Sequence, residues 1–146
     1  MKRILSAILL VVVLVFNFSA CTENDSVGNA TLVIATEEIQ VYDIPLSKLS
    51  DGEGLMPVFE YLKAENGLEY SIDGTMINSI GGLENDYASS SYIYIFTSVE
   101  ADFDVSQYKE EVVYEGKTLV NSGVGFDRMT VSDGAVIYIG LVTFNF

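Results

Sequence analysis

The chain has 146 residues, of which 21 are acidic and 7 are basic, so its formal net charge is −14. A surface this acidic repels nucleic acid, which binds proteins through cationic contacts, and it offers anionic lipid no basic patch. The chain has no histidine and a single cysteine, Cys21. It therefore lacks the commonest general base and zinc ligand and cannot form an intrachain disulfide.

The first 21 residues have the layout of a secretory signal that ends in a lipid-attachment site. Lys2 and Arg3 precede an uncharged apolar run over 4–16, which is shorter than the roughly 20 residues of a membrane-spanning helix. Residues 18–21 (FSAC) resemble a bacterial lipobox. In that motif the cysteine receives a diacylglycerol and the chain is cut just before it.

This layout predicts that residues 1–20 are a cleaved signal peptide and that Cys21 carries the lipid. The protein would then be extracytoplasmic, with a bacterial membrane or cell surface as its partner through the lipid. An uncleaved anchor helix that ends in an ordinary cysteine is the alternative. The polar segment 21–30 is predicted to be a flexible tether, followed by a single domain over 31–146.

The domain begins with strand signals. A β-branched segment over 31–36 could form a hairpin with the alternating segment over 39–44. One helix is then predicted over 55–65, and Gly67 is placed to end it. The helix prediction depends on apolar residues spaced i, i+3, i+4 and i+7, namely Leu55, Val58, Phe59 and Leu62.

The rest of the chain is rich in strand-forming residues. The segment 92–96 (YIYIF) is apolar on both faces, which is typical of a central strand. One helix beside a mixed sheet indicates the α+β class, with the helix covering one sheet face. Further strands are predicted over 68–72, 76–80, 111–114 and 136–146, with turns at Gly-containing pairs between them.

Three segments resemble, in order, the carboxy-terminal domain of transcobalamin and intrinsic factor and its secreted bacterial relatives. They are 76–85 (MINSIGGLEN), 92–96 (YIYIF) and 123–139 (GVGFDRMTVSDGAVIYI). The resemblance implies a β-grasp-like sheet and a ligand-binding role, with cobalamin or another corrinoid as a candidate ligand. The sequence departs from that family in having no tryptophan on its aromatic strand and no helical partner domain. From the residues themselves no cofactor is expected.

No catalytic motif is present: the chain has no Gly-x-Ser-x-Gly, no phosphate-binding loop and no dinucleotide fingerprint. The protein is therefore not expected to be an enzyme. Tyrosine offers a rigid, amphipathic contact surface for ligands, and Tyr87 and Phe126 are expected to be exposed, whereas Tyr92 is expected in the core. The predicted ligand-binding residues come from the aromatic set and the resembling segments: Asn78, Ser79, Tyr87, Tyr92, Tyr94 and Phe126.

One acidic run is a weaker candidate. Glu100, Asp102 and Asp104 alternate with other residues, so on a strand they would share one face and could bind calcium. A solvated acidic edge that blocks strand pairing is the favoured alternative, since no calcium-loop pattern accompanies them. No metal site is therefore predicted.

Three functions follow from these features. The first is a lipid-anchored, non-catalytic binding module for a small ligand or a protein partner. The second is capture of cobalamin or another corrinoid, and the third is a structural or interaction role in the envelope without a small ligand. An apolar concave pocket beside Ser79, Tyr92 and Phe126 would favour the first two functions.

Overall fold

A computed structural model describes residues 27–145. The predicted signal peptide, Cys21 and most of the predicted tether therefore lie outside the described residues. Within residues 27–145 the chain is α+β, as predicted, with one α-helix and nine strands. Across this same range, no helix has the length and apolar character that crossing a membrane requires.

The strands form two sheets. They are β1 (Asn29–Ala35), β2 (Ile39–Pro45), β3 (Tyr70–Asp73), β4 (Met76–Ile80), β5 (Leu83–Glu84), β6 (Ser91–Thr97), β7 (Glu111–Tyr114), β8 (Lys117–Asn121) and β9 (Val136–Thr143). Six of them make the main sheet in the order β2-β1-β9-β6-β8-β7, and β3, β4 and β5 make a smaller antiparallel sheet. β1 and β9 are parallel, whereas the other neighbours in the main sheet are antiparallel. An initial hairpin, a helix and a closing strand parallel to β1 give the β-grasp-like arrangement that was predicted.

The helix α1 (Met56–Asn66) lies within one residue of its predicted bounds. Pro57 occupies its first turn, where the missing N–H costs no hydrogen bond. Gly67 ends it in the left-handed conformation, and the Gly67 and Leu68 N–H groups donate to carbonyls of the last turn. The residues that α1 buries are Pro57, Val58, Phe59 and Leu62.

The main sheet has an inner face toward α1 and an outer face away from it. Side chains alternate between the two faces along each strand, and the inner face of β1 and β9 packs with α1 in the larger core. Phe96, Leu119 and Val136 form a second, smaller core on the outer face. The residues that β1 and β9 contribute to the larger core are Leu32, Ile34, Ile137 and Ile139.

β6 is a central strand, as its apolar pattern predicted, because β9 and β8 flank it. One strand is shorter than predicted, because the closing strand β9 ends at Thr143. Residues Glu100–Asp102 form a single 3₁₀ turn after β6, and the Asp102 carbonyl accepts the Gly123 N–H at 2.8 Å.

Candidate functional site

A cleft of about 670 Å³ lies along one edge of β6. β9 pairs with β6 over the whole of Ser91–Thr97, whereas β8 pairs with it only at Phe96 and Thr97. The stretch 92–95 therefore has a neighbouring strand on one side only, and the cleft occupies the other side. Its aromatic lining residues are Tyr92, Tyr94, Tyr108, Phe126 and Phe144.

The cleft has an inner wall and an outer wall because side chains on β6 alternate between the two faces of the sheet. Ile93 and Ile95 project to the inner face and pack against the larger core. Tyr94 projects to the outer face and packs against the smaller core. Both sets line the cleft, so an occupant would lie against the edge of β6 between an aliphatic wall and an aromatic wall.

Phe126 forms part of the inner wall and is only 5% exposed. Its ring stacks on Phe59 of α1 with the ring centroids 6.1 Å apart. The Leu55 N–H donates to the Phe126 carbonyl over 2.8 Å, which fixes the segment against the start of α1. The expectation that Phe126 would be exposed is therefore wrong, because α1 covers the ring.

The outer wall is a row of aromatic rings in contact. The Tyr92 ring is 6.2 Å from the Phe144 ring, and the Tyr94 ring is 5.6 Å from the same ring. Tyr87 lies beyond the cleft lining, makes an edge contact with Tyr92 at 5.8 Å and is 64% exposed, as predicted. Tyr92, predicted to be in the core, is only half-buried, because it belongs to this row.

The turn that carries Tyr87 is held by an acidic side chain. The Asp86 carboxylate accepts hydrogen bonds from the Ser89 hydroxyl at 2.7 Å and from the Ala88 N–H at 3.0 Å. Hydrogen bonds from Ser89, followed by that from Ala88, lower the pKa of Asp86. Tyr87 is therefore presented beside the cleft by a turn whose carboxylate stays ionised at neutral pH.

Asn85 is one of the polar residues that line the cleft, and it was not among the predicted site residues. Its side-chain oxygen accepts the Ile93 N–H at 2.7 Å, and its side-chain nitrogen donates to the Ile77 carbonyl at 3.0 Å. The amide thus joins β4 to β6. It is the last residue of the segment 76–85, one of the three segments that resemble the transcobalamin domain. Its place in that segment is the sequence feature that could have identified it as a site residue.

Two carboxylates act on Tyr94, which lines the cleft. Burial first, and then the negative charges of Glu110 and Asp104, raise the pKa of the Tyr94 hydroxyl. Hydrogen bonds from Ser106 and then Asn121 lower the pKa of Asp104, and their lengths are 2.8 Å for the Ser106 N–H and 3.2 Å for the Asn121 amide. Asp104 is therefore ionised at neutral pH and adds a negative charge close enough to act on Tyr94.

Asn78 and Ser79 do not line the cleft. The Asn78 carbonyl accepts the Asn85 N–H at 3.2 Å, and Ser79 pairs with Glu84 across the smaller sheet. Ser79 borders a separate depression that also includes Lys63. The structure thus brings Tyr92, Tyr94 and Phe126 together and leaves these two polar residues on the smaller sheet, where their binding roles stay predictions.

The acidic run does not lie on a strand, so its side chains do not share the strand face that calcium binding would have required. Asp102 is 5% exposed and accepts the Thr130 N–H at 2.6 Å and the Thr130 hydroxyl at 3.2 Å. Glu100 is exposed, and Asp104 is bonded to Ser106 and Asn121. Across residues 27–145, no group of three or more His, Cys, Asp or Glu side chains is placed to hold a metal ion.

Comparisons with known proteins add little to this geometry. No family model and no curated protein matches the chain. Among solved structures, the chain is similar to a "putative metal binding protein" from Ruminococcus gnavus, with 15% identity and a TM-score of 0.49 over 81% of this chain and 99% of that one. A likeness this distant assigns neither a ligand nor a function to this chain. The resemblance to the transcobalamin carboxy-terminal domain stays a prediction from its motifs.

Proposed function

We propose that this protein is a non-catalytic binding module that holds a small ligand or a segment of a protein partner in the cleft along β6. The cleft itself supports the proposal. Its volume of about 670 Å³ is within the range of roughly 300–1,000 Å³ that is typical of ligand sites. Its lining is mainly aliphatic and aromatic, with a few polar groups such as Asn85 and Ser122.

The lining favours binding over catalysis. None of the described residues that line the cleft is Asp, Glu, Lys or Arg, so no general acid or base of those types faces an occupant. The Ser122 hydroxyl donates to the Val124 carbonyl at 2.9 Å, so its proton is directed at a backbone oxygen rather than at a side-chain base. An occupant would therefore meet apolar walls and a short stretch of backbone.

The proposal includes the place where binding occurs. A lipid on Cys21 would hold the domain outside the cytoplasmic membrane on a tether of about ten residues, the length of the segment 21–30. A ligand or partner would then be met in the envelope or at the cell surface. The lipobox-like segment 18–21 supports this part of the proposal.

A fragment screen by NMR tests the cleft. Fragments of aromatic and apolar character are added to the purified full-length chain, and backbone amide shifts are followed. We expect the perturbed amides to cluster on β6 and around Phe126, and Tyr94→Ala to weaken binding at least about tenfold, because the ring is a large part of the outer wall.

Tyr114→Ala is the matched control for this screen. Tyr114 is a half-buried tyrosine that contacts Tyr138, with their ring centroids 6.0 Å apart, and it does not line the cleft. Its removal should leave fragment affinity unchanged. Fragments that perturb no amide along β6, or that bind Tyr94→Ala as tightly as the unaltered chain, would contradict the proposal.

Cobalamin capture is a narrower alternative that comes from the resemblance of 76–85, 92–96 and 123–139 to the transcobalamin domain. Calorimetric titration of the full-length chain with cobalamin tests it. Absence of heat and of any change in the corrin spectrum at high vitamin concentration would exclude a corrinoid. A chain that bound neither fragments nor cobalamin would instead favour the structural or interaction role in the envelope.

A further inference from the structure

The edge of β6 that borders the cleft is made of backbone groups whose direction follows from strand pairing. Asp86 and Ser91 exchange two backbone hydrogen bonds, of 2.8 and 2.9 Å, so the N–H and C=O of Ser91 point away from β9. Backbone groups alternate in direction along a strand. The same groups of Ile93 and Ile95 therefore also point away from β9, toward the cleft.

Two of these four backbone groups have partners. The Ile93 N–H donates to the Asn85 side-chain oxygen at 2.7 Å, and the Ile95 C=O accepts the Ser122 N–H at 2.7 Å. Between them lie the Ile93 C=O and the Ile95 N–H. No residue within 27–145 supplies a hydrogen-bond partner to either group. The cleft therefore has one free acceptor and one free donor along its floor, at the spacing of a β-ladder.

We propose that the occupant of the cleft is an extended polypeptide segment that adds to β6 as a short edge strand. This inference rests on the proposed function and deepens it. In a parallel arrangement, one guest residue donates its N–H to the Ile93 C=O and accepts the Ile95 N–H with its own C=O. In an antiparallel arrangement, one guest residue lies opposite Tyr94. The guest residue after it donates its N–H to the Ile93 C=O, and the guest residue before it accepts the Ile95 N–H with its own C=O.

The walls of the cleft match the side chains of such a segment. Successive guest side chains would point to opposite faces of the extended sheet. On the inner side they would meet Ile77, Val124 and Phe126, and on the outer side the aromatic row of Tyr92, Tyr94 and Phe144. Strand addition of this kind takes its affinity from main-chain hydrogen bonds and its specificity from the pockets for alternate side chains.

The charge distribution indicates the chemistry of the partner. The negative charges of Glu110 and Asp104 act on Tyr94, which lines the cleft, and no Lys or Arg is among the described residues that line it. The whole chain has a net charge of −14, so a second copy of this chain would be repelled. The occupant is therefore a segment of a different protein, with apolar side chains at the contacts and a Lys or Arg beside them.

Peptide selection tests this inference. A library of random seven-residue peptides displayed on phage is selected against the purified full-length chain, and the most enriched peptide is synthesised with blocked ends. We expect enriched peptides to have apolar residues at successive positions, with a Lys or Arg beside them. N-methylation of the peptide residue whose N–H donates to the Ile93 C=O should weaken binding about tenfold, because that main-chain hydrogen bond is lost.

Amide hydrogen exchange distinguishes strand addition from other modes of binding in the cleft. In the free chain the Ile95 amide should exchange rapidly, and bound peptide should slow it, whereas small apolar fragments should not. Tyr94→Ala should weaken peptide binding and Tyr114→Ala should leave it unchanged. These results together would support strand addition at β6.

The contrary outcomes separate the two proposals. Fragments that bind in the cleft while no peptide is enriched, or a peptide that binds without protecting the Ile95 amide, would overturn strand addition and leave the proposed binding module standing. Protection of the Ile95 amide in the free chain would show that the edge is already occupied by the chain itself, and would also overturn it. No perturbation along β6 by fragments or by peptides would overturn both.

Discussion

The role of Asp102 depends on a hydrogen-bond partner that is distant in the sequence. It is the buried acidic side chain among residues 27–145, and its carboxylate accepts both the N–H and the hydroxyl of Thr130. These bonds join the 3₁₀ turn after β6 to the segment that precedes β9. A buried acidic side chain with two hydrogen bonds of this kind has a structural role in this molecule.

Replacement of Asp102 measures that role. Asp102→Ala leaves the Thr130 N–H without its acceptor, so we expect the free energy of unfolding to fall by about 1–3 kcal/mol. Glu100→Ala is the control within the same turn, because Glu100 is exposed, and it should change stability by about 0.5 kcal/mol or less. Urea denaturation at neutral pH measures both. Equal effects of the two substitutions would contradict the structural role.

Residue roles were predictable from the sequence where they depend on local pattern. The exposure of Tyr87 was predicted from its polar neighbours and is confirmed. The burial of Phe126 was not predicted, because Phe59, which covers it, is 67 positions earlier in the chain. The hydrogen bonds between Asp102 and Thr130 were not predictable for the same reason, because the two residues are far apart in the sequence.

At the scale of elements, two of the glycines in the left-handed conformation have different surroundings: Gly67 at the end of α1 and Gly81 after β4. Gly67 closes α1 with φ +70°, and a Cβ there would meet no atom within 4 Å. Gly81 has φ +57°, and a Cβ there would come within 2.9 Å of the Ile34 Cδ1 atom in the core. The first position imposes only a backbone cost on a larger residue, whereas the second adds a steric cost.

Alanine at each glycine separates these two costs. Gly67→Ala should lower the free energy of unfolding by about 1–2 kcal/mol, the cost of a left-handed residue with a side chain. Gly81→Ala should lower it further, because the buried Ile34 side chain must also shift. Gly67→Asn should cost less than Gly67→Ala, since asparagine tolerates this conformation. Thermal unfolding of the three variants checks the order, and a Gly81→Ala cost no larger than that of Gly67→Ala would contradict it.

Most elements were predictable because their signals are local. The apolar period of 3.6 located α1, and alternating or continuous apolar segments located β1, β2, β4, β6 and β7. The arrangement of the elements was less accessible, because β1 pairs with β9 across about 100 intervening positions. The free edge of β6 had no sequence signal at all. It exists because β8 pairs with β6 only at Phe96 and Thr97.

At the scale of the whole molecule, the α+β fold was predictable from one helical segment among many strands. The resemblance to a known family added the β-grasp-like arrangement, and its motifs at 92–96 and 123–139 contribute residues to the cleft. The ligand was not predictable, because it depends on the shape and free backbone groups of a cleft assembled from β4, β6 and the segments after β8. Neither the shape of the cleft nor its free backbone groups can be recognised from a sequence motif.

The proposed anchor is also a property of the whole molecule. We expect Cys21→Ser to remain unlipidated and to lose membrane retention, because in the lipobox motif the cysteine thiol accepts the lipid. Membrane fractionation and intact-mass measurement check this. The thermal unfolding of the variant should match that of the unaltered chain, since the folded domain begins later. A variant that still sediments with membranes and resists an alkaline wash would instead indicate an uncleaved anchor helix.

The position where the chain enters the domain determines how far the proposed tether lies from the cleft. The Asn29 N–H donates to Asp133 at 3.1 Å, and β1 starts beside Val136, at the beginning of β9. The cleft lies toward the other end of β9, where Tyr94 pairs with Gly140, a separation of about 13 Å along the strand. A tether that joins the domain at β1 would therefore be attached away from the cleft. A partner could then reach the free edge of β6 without displacing the tether.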